Sequence, residues 1–502
     1  MKPNDKILDN GAVVLDISAA KKKINLTDND DRKKSQATLL IEIGRKGLLF
    51  HCQAGDAYTE VNQSGVFKTF KVRSKDYREY LSHELYLLTK KGANNNAITD
   101  ALATLEARAK FDGKLIPVAV RTYFDDDTIY IDIGNTERKI IKVDSSGWTI
   151  IDKAPVKFVR KSGISELPTP EAGGKLMDLK QYLNINIDDF PLIYGWMFCA
   201  LANVKPFPIL VLQGEQGTGK STTSKIIRAL VDPSTVPLRT PPKDTRDLLV
   251  SAANTHIVCM DNLSGISAEM SDCLCRLSTG GGHDVRALFT DNEQYLIELQ
   301  KPIIVNGIDD VATRPDLAER AFIINLPPIT NKNRISESEL WNKFRTDKRL
   351  FLGCLLEGLA SGLKHYKTLV LDEKPRMADM AQWVTACEVG IDFKGDFMDA
   401  HKQNQLQAIE LSIEASPIGN VIMVLMEDRQ KWIGKPTELF NVLTDMAGVR
   451  VANSRAFPAS LKGMNNIIKR LTPNFRKLGI EITKRNDNGR EYTIINLGVN
   501  DA

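Results

Sequence analysis

The chain has 502 residues, 42% of them hydrophobic and 26% charged, a globular composition with room for about three domains at ~150 residues each. Its longest apolar stretches fall far short of the ~20 residues that cross a bilayer, and Met1 to Asn10 lacks the apolar core of an export signal, so no membrane partner and a cytoplasmic address are expected. The net charge of +4 is unevenly spread: from Arg429 onward thirteen Lys/Arg face six Asp/Glu, a net +7 that leaves −3 for the rest. A basic terminal segment on a slightly acidic body fits a polyanion-binding module as well as it fits a solvated face. Seven cysteines without a Cys-x-x-Cys pair predict reduced thiols and no zinc.

In chain order, residues 1–34 are polar, with both charges crowded into Asp28 to Lys34, and read as a flexible leader. Residues 35–161 are expected to form an α+β domain. Helical patterns dominate to about Asp112, notably over Asp76 to Lys90 and Asn96 to Phe111. The period then changes to two: Leu115 to Phe124, Thr128 to Ile133, Arg138 to Val143 and Trp148 to Ile151 predict a β-meander turning at Asp125-Asp126-Asp127, Gly134-Asn135 and Ser145-Ser146-Gly147. The Pro- and Gly-rich stretch 162–174 reads as a linker.

Residues 175–330 predict a parallel α/β sheet. A helical stretch from Leu179 to Val204 leads into Pro206 to Gln213, a short apolar run suited to a strand buried on both faces. Gly214-Glu215-Gln216-Gly217-Thr218-Gly219-Lys220-Ser221 follows at once and matches the phosphate-binding P-loop at every fixed position, between a strand and the helix Ser221 to Val231. Glycines let the backbone curl so that successive N–H groups face phosphate oxygens, with the start of the helix, Thr222 included, adding positive potential. Lys220 is expected to reach the β- and γ-phosphates of ATP, and Ser221 to hold Mg²⁺. An ordinary Gly-rich turn is the alternative, and it requires both flanks to coincide by chance.

A second buried run, His256 to Met260, ends at Asp261-Asn262, where a metal-sphere aspartate belongs. Asn262 stands where many oligomeric ATPases carry a Glu that orients water, so the base is open. A third run, Pro302 to Asn306, ends in an Asn able to orient water or phosphate, or merely to close a strand. Arg314 and Arg320 precede the apolar strand Ala321 to Leu326; either fits an arginine finger or a surface pair with Asp316 or Glu319, Arg320 being favoured. Val285 to Leu299 reads as a hairpin around Asp291-Asn292.

Residues 331–416 predict a helical connector, over Glu337 to Tyr366 and Arg376 to Val389. In residues 417–502 a Thr-capped helix within Gly434 to Leu443, a second helix over Ala459 to Leu471 and a hairpin over Ile480 to Ile495 look like a winged helix. Its Lys462, Lys469, Arg470, Lys484, Arg485 and Arg490 are placed to meet the phosphates of duplex DNA; some winged helices join only proteins.

The order of P-loop, Asp261-Asn262 strand, hairpin, Asn306 strand and Arg320 resembles superfamily 3 helicases and related AAA+ ATPases. It is more closely similar to the poxvirus- and phage-type primase-helicases of bacterial mobile elements, over roughly residues 175–330. The resemblance implies an ATP- and Mg²⁺-dependent DNA helicase or translocase forming a homo-oligomer, a hexamer in such families, with single-stranded DNA in the ring and an arginine acting across subunits. In such families the hairpin contacts DNA. Here its tip, Asp291-Asn292-Glu293, is acidic, so Arg286 or Lys301 at its two ends would have to serve, or the ring does not thread DNA in the familiar way. A primase parallel would place metal carboxylates at Asp125 to Asp127 and Asp132, where a solvated turn is the simpler reading. A regulatory ATPase that recruits partners without unwinding, and a DNA-binding regulator with ATP as a structural ligand, are the competing functions.

Overall fold

The computed structural model describes residues 34–286, 294–307, 314–332, 334–391, 396–485 and 491–498, with side chains omitted from 282–298 and at Pro315. The expected leader lies outside these residues.

The first unit comprises α1 (Gln36–Gly44), β1 (Leu48–His51), β2 (Ala57–Gln63), β3 (Val66–Lys71), α2 (Lys75–Thr89), α3 (Asn95–Phe111) and β4 (Lys114–Leu115). Both expected helices are present, but the helical reading of residues 35–112 missed a sheet of order β3-β2-β1-β4. Only alternate β2 positions are buried, so its period-two signal rests on small or polar residues such as Ala57 and Thr59 rather than on large apolar ones. Leu40, Tyr77, Leu81, Leu85 and Leu105 form this unit's own core.

After β5 (Val118–Ala119) comes the meander, β6 (Thr122–Asp125), β7 (Thr128–Asp132), β8 (Ile140–Asp144) and β9 (Gly147–Ile151), followed by β10 (Lys157–Phe158). β6 to β9 pair antiparallel in sequence order. Their buried Ile129, Ile131, Ile141 and Val143 pack into the large central core and not into the first unit. Arg121 closes this joint. Its buried guanidinium donates to Asp232 Oδ1 (2.9 Å), the Asp132 carbonyl (3.0 Å) and the Ser165 carbonyl (2.9 Å). The residues expected as a linker are therefore packed: Leu167 is buried and its N–H donates to the Ile133 carbonyl at 2.8 Å. Burial alone would raise the Asp232 carboxyl, but Arg121, His256 and Arg228 outweigh it and hold the group below its ordinary value.

The stretch 179–204 is broken, with a 3₁₀ turn at Leu176–Tyr182 and a helix, α4, only from Phe190–Ala202. There follow β11 (Ile209–Gln213), α5 (Lys220–Val231), α6 (Thr245–Ala253), β12 (Val258–Leu263), α7 (Ala268–Thr279), β13 (Gly282–Arg286), β14 (Gln294–Glu298), β15 (Ile303–Gly307), α8 (Pro315–Ala318) and β16 (Ala321–Asn325). The sheet β12-β15-β11-β16 is wholly parallel. A further parallel bridge from Arg239 to Met260 extends it beyond β12. Strand alternation divides the apolar residues between two faces: Leu210, Leu212 and Ile304 join the core with α4 and α5, while Ile209, Val211, Ile303 and Val305 join the one with α6 and α7. β13 and β14 form the expected antiparallel hairpin; its tip lies outside the described residues.

Next come α9 (Glu337–His365), α10 (Ala378–Glu388) and α11 (Phe397–Glu414). The last unit runs α12 (Pro417–Met426), β17 (Lys431–Gly434), α13 (Pro436–Ala452), α14 (Leu461–Lys477), β18 (Ile480–Arg485) and β19 (Glu491–Asn496), with sheet order β17-β19-β18. α13 starts without a Thr cap; Glu438 instead accepts from the Lys435 N–H at 2.7 Å. Among the described residues no single helix is long and apolar enough to cross a membrane.

His256 and His401 are buried, and desolvation pushes both down to about 4. The unfolded chain, with histidines near 6.5, takes up protons between about pH 6.5 and 4 that these two refuse, so their effect is to lower stability as pH falls through that window. Glu388, pushed up to about 7 by burial, acts in the opposite sense. Because His401 packs between the rings of Phe397 and Phe322, His401→Phe is expected to preserve the fold. Its urea midpoint should fall less than that of the unmodified chain between pH 7 and 4.5; equal falls would show that His401 titrates normally.

Candidate functional site

The Gly214–Ser221 loop leaves the carboxyl end of central β11 and enters α5. Gly214 has φ +145°, and a Cβ there would lie 2.7 Å from the Leu326 carbonyl beyond β16. Gly219, the residue before α5, has φ +86°, a left-handed conformation that costs glycine little. The Thr218 hydroxyl donates to the Glu215 carbonyl at 3.0 Å and fixes the curl. Lys220 Nζ donates to the Gly214 and Glu215 carbonyls, both at 2.7 Å. Burial lowers the Lys220 pKa, with Asp261 opposing.

Ser221 Oγ donates to Asp261 Oδ1 at 2.8 Å, which places a hydroxyl and a carboxylate, both hard oxygen donors, side by side below the loop. That donor set suits a cation such as Mg²⁺, while the loop's N–H groups and helix start suit an anion. Asp261 and Asn262 lie where the β12–β15 register shifts, between Met260 and Leu263. The shift turns Asn262 into the left-handed region at φ +59° and leaves it exposed. Asn is among the residues that tolerate this conformation best.

Asn306 is buried at the end of β15. Its Oδ1 accepts from the Asn262 N–H at 2.8 Å, and its Nδ2 donates to Ser224 Oγ at 3.2 Å. The amide thus ties the β12 bulge to α5. A second amide, which sequence reasoning missed, acts on the other side: Asn184 Nδ2 donates to the Thr218 carbonyl at 3.0 Å and to the Pro327 carbonyl at 2.6 Å. No motif marks Asn184; it sits in the break of a stretch that reads as helix. Beside it opens a cavity of about 280 Å³ lined by Tyr182, Leu183, Thr222, Ile329, Arg334 and Leu340.

The two arginines before β16 are held within the chain. Arg314 donates to the Ala268 carbonyl at 2.8 Å and pairs with Asp272 at 3.1 Å. Arg320 binds the carbonyl and carboxylate of Asp316, and its buried Nε has no partner among the described residues. Next to it, Glu319 pairs with Arg376 of the connector and with Lys477 of α14 at 3.1 Å.

Of the other predicted residues, Arg286 closes β13 opposite Gln294. Lys301 is half-buried, its N–H bound to the Leu277 carbonyl; burial brings its ammonium down to about 8 against the pull of Asp232. Asp132 is buried against Arg160 at 2.7 Å, and Asp127 pairs with Lys367 at the exposed turn. On α14, Met464, Ile468, Leu471 and Phe475 face inward, leaving Lys462, Lys469 and Arg470 exposed. Lys484 lies over the Tyr492 ring, 5.0 Å from its centroid, and bonds to Asn465, while Arg485 is exposed. Arg490 lies outside the described residues.

Residues 174–399 match the family model of the actinomycete integrative conjugative element replication protein, and residues 418–500 match that of the C-terminal domain of the same replication protein, RepA. No curated protein matches the chain. Among solved structures, one titled as the active helicase Cch of SCCmec type IV is 11% identical, with a TM-score of 0.48 over 90% of this chain and 93% of that one. The apo C-terminal region of NrS-1 is 10% identical, with a TM-score of 0.41 over 93% of this chain and 100% of that one.

Replacing Asn306 with Ala should remove both ties of the amide and leave the Asn262 N–H without its partner. The expected cost is about 1–3 kcal/mol of stability, read from urea denaturation; an unchanged midpoint would mean that the tie is not held in solution.

Proposed function

We propose that this chain is an ATP-dependent DNA helicase or translocase acting in the replication of a mobile genetic element. The observation that carries the reading is the Ser221–Asp261 pair set beneath the Gly214–Ser221 loop at the carboxyl edge of a parallel sheet. The match of residues 174–399 to a replication-protein model supports it.

In this reading Lys220 exchanges the two loop carbonyls for β- and γ-phosphate oxygens. The N–H groups at the start of α5 hold the phosphates from the other side. Ser221 and Asp261 are the residues that would hold Mg²⁺, which when bound supplies charge neutralisation between the phosphates. The cavity beside Asn184 and Ile329 is of a size to take a base and ribose. Arg320, in the turn between α8 and β16, would serve as the finger toward a neighbouring copy in a ring, a hexamer by the resemblance, and would have to leave Asp316 to do so.

The helix-strand-helix-helix-strand-strand order of the last unit, with sheet order β17-β19-β18, supports a winged helix. α14 is then the helix presented to duplex DNA, its inner face committed to the core and its outer face carrying Lys462, Lys469 and Arg470. Lys484 and Arg485 flank it from the hairpin.

One observation favours a second reading, an ATPase that recruits partners without unwinding. Asn262 offers no carboxylate beside Asp261, and Asn306 spends its amide on Asn262 and Ser224, so the water-activating group is not among the residues best placed for it. Strand-separation assays run beside hydrolysis assays divide the two.

Lys220→Ala should lower ATP hydrolysis on the order of a hundredfold or more while leaving duplex binding by the last unit intact; retained hydrolysis would sink the site assignment. In the full-length chain, Lys462→Glu, Lys469→Glu and Arg470→Glu combined should weaken duplex binding and reduce the salt slope by about 3, one per lost phosphate contact. An unchanged slope would remove α14 from the DNA interface.

A further inference from the structure

α14 turns one face to the core and the other to solvent. Met464, Ile468, Leu471 and Phe475 are buried on the inner side. At about 100° per residue, the direction opposite that stripe falls on Asn466 and Pro473, both exposed, with Lys462 and Lys469 to one side and Arg470 to the other. Proline has no polar side-chain atom. Asn466 is therefore the one exposed side chain of α14 that carries both a donor and an acceptor, and it stands at the middle of a basic face.

Its chain neighbour is used differently. Asn465 Oδ1 accepts from Lys484 Nζ at 3.1 Å and from the Tyr492 hydroxyl at 2.6 Å, which ties the hairpin strands to the helix. Asn466 makes no side-chain hydrogen bond among the described residues. The two ends of α14 differ as well. Near its C-terminus Lys477 pairs with Glu319 at 3.1 Å and Asn474 Nδ2 donates to Ser412 Oγ at 3.3 Å, so that end is docked on the rest of the chain. The stretch from Lys462 to Arg470 is the part left open to a partner.

A helix that enters the major groove aims the middle of its outward face at base edges, with its N-terminal part nearest the bases and its flanks toward the phosphates of the two strands. In α14 the flanks are cationic and the middle is an amide. A carboxamide offers a donor and an acceptor in one plane, which match the N7 acceptor and N6 donor of adenine, whereas a cation on phosphate carries no sequence information. We infer that Asn466 reads an adenine in the major groove of duplex DNA, while Lys462, Lys469 and Arg470 fix the helix on the backbone. The inference rests on the proposed duplex face of α14. It makes the last unit a module that selects a site, where a purely basic helix would bind any duplex alike.

The test selects duplexes from a random-sequence pool with the full-length chain, unmodified and as Asn466→Ala, and then measures affinity for the enriched duplex. Alanine favours helix and Asn466 is exposed, so the urea midpoint of the variant should not fall. The unmodified chain should enrich a fixed A·T pair and bind it about tenfold more tightly than the same duplex with that pair changed to G·C; Asn466→Ala should bind the two alike. With 7-deazaadenine at that position, which lacks the N7 acceptor, the unmodified chain should lose affinity and the variant should not. The salt slope should be the same for both, because no phosphate contact is removed. If both chains enrich the same pairs and respond alike to 7-deazaadenine, or if the unmodified chain binds duplexes without preference, Asn466 is not a reader and the basic face of α14 stands. If the unmodified chain binds no duplex, or if combining Lys462→Glu, Lys469→Glu and Arg470→Glu leaves binding unchanged, the duplex face itself fails and the inference falls with it.

Discussion

The geometry of the candidate site depends on one buried amide. Asn306 stands at the end of β15, the strand between β11 and β12, and joins what lies on either side of it: Ser224 of α5 and the backbone of Asn262 at the β12 bulge. Because the bulge sets where Asp261 points, and α5 carries Ser221, the amide governs the 2.8 Å approach between the two. A polar group with 1% exposure is costly to desolvate unless its hydrogen bonds are made, which is why this position takes a side chain that both accepts and donates. The same commitment gives the residue a positioning role as well as a place at the strand tip.

Around that centre the chain uses polar ties where apolar packing cannot set direction. Arg121 binds Asp232 at the end of α5 and carbonyls of the meander and of residues 165 and 233. A buried guanidinium is retained only with such complete pairing. The meander thereby becomes a wall of the central core, and the far end of α5 is anchored while its beginning faces the loop. Asn184 does for the loop what Arg121 does for the helix end, binding two carbonyls from segments more than a hundred residues apart.

The last unit is joined to the central one through charge as well as packing. Lys477, on α14, pairs with Glu319, which neighbours Arg320 and also binds Arg376, and Asn474 bonds to Ser412 of α11 at 3.3 Å. The helix proposed to face DNA is thus in contact, at its C-terminal end, with the turn between α8 and β16 that carries the proposed finger. A displacement of α14 has a direct physical route, through Glu319, to the turn that holds Arg320.

Much of this architecture was legible in local pattern. Short apolar runs ending at Gln213, Asp261 and Asn306 became parallel strands because a strand covered on both faces must be apolar throughout. The loop between β11 and α5 followed from its glycines, and the outward basic face of α14 from its helical period. The sheet of the first unit was not legible, since its inward positions are filled by residues such as Ala57 and Thr59 that carry little hydrophobic signal, nor was the packing of 162–174, whose prolines and glycines read as a linker while Leu167 is buried. The sequence by itself determined which residue types meet phosphate and metal at the loop, because that chemistry is encoded in contiguous spacing. Only the tertiary structure decided that Asn306 is a tie and that Asn184 braces the loop, because each depends on hydrogen bonds between segments distant in the chain, which no local period records.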